Sequence, residues 1–102
     1  MTTPREKLIE VLQATRVLVA RPDNEFMYSG WEDAQQALAA IDGHIARVKS
    51  GEAFRFRDIS ILYAPTGALQ DLSISSGWSD EYMALVSEID GLEGWFGRLR
   101  VW

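Results

Sequence analysis

Residues 62–90 read LYAPTGALQDLSISSGWSDEYMALVSEID, and whether the first half of this stretch is helical or extended decides the fold. Ala64-Pro65-Thr66-Gly67 reads as a turn into a helix, with Pro65 near the first helical position, where its missing N–H costs nothing. Leu69, Leu72, Ser73 and Ser76 then share one face at helical spacing. Gly77 suits a helix end. Ser79 suits the cap of the next helix, with Asp80 and Glu81 in a first turn that favours negative charge. Trp78, Tyr82, Leu85, Ile89 and Leu92 continue as a stripe, and Gly91 and Gly94 are expected to end that helix.

Working upstream, residues 53–63 carry two patterns at once. Phe54-Arg55-Phe56-Arg57 alternates like a strand, while Phe56, Ile59, Leu62 and Tyr63 fall on one helical face. Two short helices on either side of Pro65 are favoured. The alternative places strands around 54–62 and 68–75 and makes the fold α+β. Further back, Trp31, Ala34, Leu38, Ile41, Ile45 and Val48 form the clearest helical stripe in the chain. Ser29 and Glu32 form a capping box in front of it, and Arg47, Lys49 and Gly51 suit its C-terminal end. The expected helix is 30–50. Thr3-Pro4-Arg5-Glu6 opens another helix, carried by Leu8, Val11, Leu12, Thr15, Leu18 and Val19 and stopped at Arg21-Pro22. In the loop that follows, Phe26, Met27 and Tyr28 are expected to be packed.

The fold class is therefore mainly α: a compact bundle of four principal helices and a short fifth in one domain, 1–102. A phrase recurs in it, SGWEDAQQAL at 29–38 and SGWSDEYMAL at 76–85. It suggests two related helical hairpins from an internal duplication. The competing explanation is that Ser, Gly and acidic residues suit any helix start. The duplication requires Trp31 and Trp78 to occupy like environments.

Charge and composition narrow the function classes. The net charge is −5, which argues against a nucleic-acid partner, since that needs cations against phosphates. The charged residues from Asp58 to Glu93 are all acidic, giving a face that would steer a basic partner. The bland alternative is a solvated acidic surface. There is no cysteine, which fits a cytoplasmic location and removes thiol chemistry. No apolar run reaches the roughly 18–20 residues of a membrane span, and the N-terminus does not resemble a signal peptide.

Residues suited to catalysis are few. His44 is the only histidine and sits beside Ile41 and Ile45 at the edge of a buried stripe, where a structural role outweighs a general base. Glu32-Asp33 and Asp80-Glu81 are adjacent pairs at helix starts. Helix neighbours do not face each other, so dipole complementation is their plainest role. No catalytic residue, metal ligand or cofactor is expected, and the nucleotide-binding glycine motifs are absent.

Two binding surfaces stand out. The tail GWFGRLRVW is rich in Trp and Arg, residues that anchor interfaces. Trp95, Phe96, Arg98 and Trp102, together with Asp80 and Glu81, are the candidate partner-binding residues. The alternating residues 98–102 could also pair as an edge strand with Phe54-Arg55-Phe56 or with another chain. The second surface is the glycine-bearing turn, where Thr66, Gly67, Gln70 and Trp78 are candidates for a small ligand or anion. The leading expectation is a small cytoplasmic, non-enzymatic adaptor or inhibitor-like module. Its partner would be a protein, basic in charge, or a second copy of the chain. A small-ligand module is the alternative.

Overall fold

The computed structural model describes residues 2–65 and 67–96. They form helices α1 (Pro4–Val19), α2 (Ala34–Ser50), α3 (Phe56–Ser60, continued by a 3-10 turn over Ile61–Tyr63), α4 (Ala68–Ser76) and α5 (Ser79–Phe96). The fold is mainly α, and the described residues contain no strand. The α+β alternative fails because both doubtful segments place their apolar residues on one helical face. Phe56, Ile59 and Tyr63 are buried on one side of Pro65, and Leu69, Leu72 and Ser73 on the other.

Helix α1 is the centre of the bundle and packs on both α2 and α5. The Thr3 hydroxyl accepts the Glu6 N–H and caps it, as the sequence predicts. Near its start Arg5 reaches the last turn of α2, donating to the Val48 carbonyl, while Arg16 pairs with Asp42 further back on α2. Lys7 meets Glu88, and Arg21, just past the helix, lies 3.6 Å from Glu81. Both neighbours therefore run antiparallel to α1. These ion pairs are half exposed, so they set alignment more than stability. Stability comes from the apolar interior of Leu8, Leu12, Ile41, Val48, Ile59, Leu72, Trp78 and Ile89 and the residues around them.

Two polar contacts lock this interior. Thr15, fully buried, donates to the Val11 carbonyl and lies 2.6 Å from the Tyr63 hydroxyl. With the Thr15 proton on Val11, the Tyr63 hydroxyl is the donor of that second bond. Burial pushes the Tyr63 phenol well above its usual range. Asn24 joins the loop after α1 to the start of α5. Its amide donates to the Leu18 and Val19 carbonyls, and its Oδ1 accepts the indole N–H of Trp78 at 2.9 Å.

Several boundaries differ from the sequence reading. Helix α2 begins at Ala34, four residues later than expected, because Gly30 has a left-handed φ of 86° that a helix cannot contain. Ser29 closes a turn instead, donating to Phe26 and accepting from Trp31. The true cap is Asp33, which accepts the Gln36 N–H, while Gln36 accepts from Glu32. In that same turn only Phe26 packs inward. Met27 and Tyr28 are 74% and 68% exposed, since they occupy the outward middle of the bend closed by Ser29 onto Phe26.

Helix α4 starts at Ala68, leaving Pro65 in the turn before it. Ser79 is the first residue of α5, and the Trp78 carbonyl takes the first helical bond, from Tyr82. Gly91 and Gly94 do not stop α5, because Leu92 and Phe96 pack on the interior beyond them. The repeated phrase shares its left-handed glycine, Gly30 and Gly77. Trp31, however, is half-buried in a loop, whereas Trp78 is fully buried against a helix start. The duplication reading fails on that difference.

Candidate functional site: an arginine–phenylalanine groove

Gly51 ends α2 with a left-handed φ of 80°, which turns the chain sharply away from the helix axis. The Glu52 N–H is held by the Ser50 hydroxyl. After it, Ala53 and Phe54 engage neither main-chain N–H nor C=O in a hydrogen bond among the described residues. Arg55 is extended (φ −94°, ψ 118°), and buried Phe56 then anchors α3. Among the described residues the link is thus pinned at both ends and open in the middle.

Phe96, at the end of α5, closes one side. Its ring stacks on Phe56 at 5.0 Å and meets Phe54 at 5.6 Å in a tilted arrangement. Arg5 covers the Phe54 ring, 5.4 Å from its centroid, while bonded to the Val48 carbonyl. This cation–aromatic contact fixes both groups at the rim.

Two hollows flank the link. The larger, about 870 Å³, runs between Arg5, Phe54, Arg57 and Phe96. The smaller, about 330 Å³, is lined by His44, Arg47, Arg55, Asp58 and their apolar neighbours. Arg55 and Phe54 line both. Four arginines against Glu52 and Asp58 make this the cationic end of a chain whose net charge is −5. None of the four lies within salt-bridge distance of a carboxylate among the described residues. Arg47 donates to the Nδ1 of His44 at 2.7 Å, which requires a neutral imidazole. Burial, and then the Arg47 charge, lower the His44 pKa against an opposing pull from Asp58. Neutral at physiological pH, this imidazole offers Nε2–H as a donor.

The residues expected from sequence divide between this site and other places. Phe96 is in the groove, and Trp95 beside it is 65% exposed. Arg98, Trp102 and Thr66 lie outside the described residues. Asp80 and Glu81 are exposed in the first turn of α5, about 22–24 Å along the helix from Phe96 at 1.5 Å per residue. They do not share a surface with the aromatic end.

The Gly67 turn is built for packing. A Cβ there would meet the Ile61, Leu62 and Ala64 carbonyl oxygens at 3.0–3.1 Å, and the Gly67 N–H already bonds Ala64. Gln70 is half-buried, and the enclosed Trp78 indole offers no surface to a ligand. The groove itself was not singled out from sequence as a site. Its signal is the Phe-Arg-Phe-Arg alternation that begins three residues after the helix-ending Gly51.

Among the described residues, no three His, Asp or Glu side chains come together as a metal-binding group. No helix among them is long and apolar enough to cross a membrane. Comparison with known protein families, curated proteins and solved structures finds no match for this chain.

Proposed function

We propose that this chain is a non-enzymatic protein–protein interaction module, adaptor- or inhibitor-like, that acts in the cytoplasm through the groove around Phe54. The observation that carries the reading is an open, cationic hollow floored by three phenylalanines in an otherwise acidic protein. Arginine and aromatic side chains are the residue types that concentrate binding energy at interfaces. The rim is held in place by the Phe54–Phe56–Phe96 cluster and by Arg5, so little ordering is needed on binding. The acidic residues Asp80 and Glu81 stay at the far end, where they serve solubility.

The test compares tagged wild type with an Arg55→Glu/Phe54→Ala double variant in a pull-down from lysate at low and high salt. Circular dichroism verifies that both are folded. A partner, or a second copy of the chain, held by wild type and lost by the folded variant supports the reading. A partner retained equally by both rules out the groove.

A further inference from the structure

Resting on the interaction reading above, we infer that the groove takes an extended acidic segment of a partner protein, which lies along residues 52–55 as an added strand and places alternate side chains in the two hollows. Three features of the link converge on this mode. The main-chain N–H and C=O of Ala53 and Phe54 are unbonded among the described residues, with Ala53 exposed and Phe54 half-buried. In an extended chain these two residues turn their main-chain groups to opposite edges, so a peptide running alongside one edge can supply the bonds of one of them, which is how strand addition gains affinity without sequence-specific contacts. Arg55 is already in the extended conformation that such pairing needs.

The third feature is the placement of the hollows. They lie against the same residues, Ala53 to Arg55, and differ in chemistry. The smaller offers the Arg47 and Arg55 guanidiniums and the His44 imidazole. The larger offers the Phe54, Phe56 and Phe96 rings with Arg5 and Arg57 at the rim. Side chains of a strand point alternately to opposite faces. One set of a bound segment therefore enters the first hollow and the intervening set enters the second.

The charge of the site selects the occupant. Arg55 and Arg57 have no ionic partner among the described residues, and guanidinium forks bind carboxylates in a bidentate manner. Asp58 lines both hollows, but Glu52 and the Phe56 and Phe96 rings line only the larger one, which favours a register that sets acids toward Arg47 and Arg55 in the smaller. The matching segment alternates acidic residues with apolar or aromatic ones.

The probe is a fluorescein-labelled octapeptide alternating Asp with Phe or Ser, titrated with the full chain by fluorescence anisotropy. Saturable binding is expected, weakened at least tenfold by Arg55→Glu and markedly by raising NaCl from about 50 to 500 mM, where the screening length falls below about 5 Å. The same peptide with Lys for Asp should not bind. Two further peptides carry N-methyl groups on alternate residues, one in each register. One of them should lose at least tenfold, because it blocks the edge that pairs with the link.

Equal binding by both methylated peptides overturns the strand mode. Tighter binding by the Lys peptide overturns the acidic chemistry. If no octapeptide binds while the pull-down partner is still lost by the groove variant, the interaction reading stands and the strand inference is wrong.

Discussion

Asn24→Ala tests the polar latch on which the bundle closes. Trp78 is fully buried, and among the described residues its indole N–H has one partner, the Asn24 Oδ1 at 2.9 Å. Truncating Asn24 leaves that donor buried and unsatisfied, at a cost of about 1–3 kcal/mol. It also removes the amide from the Leu18 and Val19 carbonyls at the end of α1. The Leu18 carbonyl keeps the Arg21 N–H, whereas Val19 is fully buried, so the lost donor to its carbonyl adds about 0.5–1 kcal/mol. A total of about 2 kcal/mol is expected, or a fall in Tm of about 8–16 °C for a domain of this size. Urea denaturation followed by far-ultraviolet circular dichroism should show a lower midpoint at unchanged slope. A double-mutant cycle isolates the mechanism. In a Trp78→Phe background there is no N–H to orphan, so Asn24→Ala should cost about 1–2 kcal/mol less. An equal loss in both backgrounds, or a loss below about 0.5 kcal/mol in the wild type, would refute the latch.

Three further predictions concern other parts of the fold. Gly67→Ala should destabilise by about 1–3 kcal/mol, read from the thermal melting midpoint, because the new methyl faces three backbone carbonyls that have little freedom to move. Phe96→Ala should cost about 1–2 kcal/mol in the same melts, less than a fully buried phenylalanine since Phe96 is half-buried, whereas Trp95→Ala should stay within about 0.5 kcal/mol. His44 should impose a pH dependence visible in urea titrations from pH 8 to 5. Its folded pKa lies below its ordinary value of 6.5, so the unfolded chain binds more protons below that pH. Its contribution is complete above pH 6.5 and is lost as the pH falls through the folded value, when protonation also breaks the bond from Arg47. His44→Gln should flatten this part of the profile, and an unchanged slope would remove His44 as its source.

Much of the fold was legible in the residues themselves. Helical stripes such as Trp78, Tyr82, Leu85, Ile89 and Leu92, the Thr3 cap, and the terminating glycines Gly51 and Gly77 are local features. Backbone geometry and side-chain periodicity determine them within a turn or two. Local chemistry alone does not fix every helix end. Ser29 and Asp33 both make credible caps, and the choice fell to Asp33 because Gly30 took a left-handed turn between them. Gly91 and Gly94 look like helix ends, yet α5 continues because Leu92 and Phe96 find burial on other helices, a gain that outweighs the roughly 1 kcal/mol preference against a helical glycine.

The groove was decided at longer range. Arg5, Phe54, Phe56 and Phe96 come from the beginning, middle and end of the described chain and meet only because α2 and α5 both run antiparallel to α1. The same packing separates Asp80 and Glu81 from the aromatic end of their own helix and encloses Trp78. Sequence periodicity determined which face of each helix turns inward. Which helix ends converge, and so where charge and aromatic surface gather, depends on contacts between distant residues, and only the tertiary structure decided it.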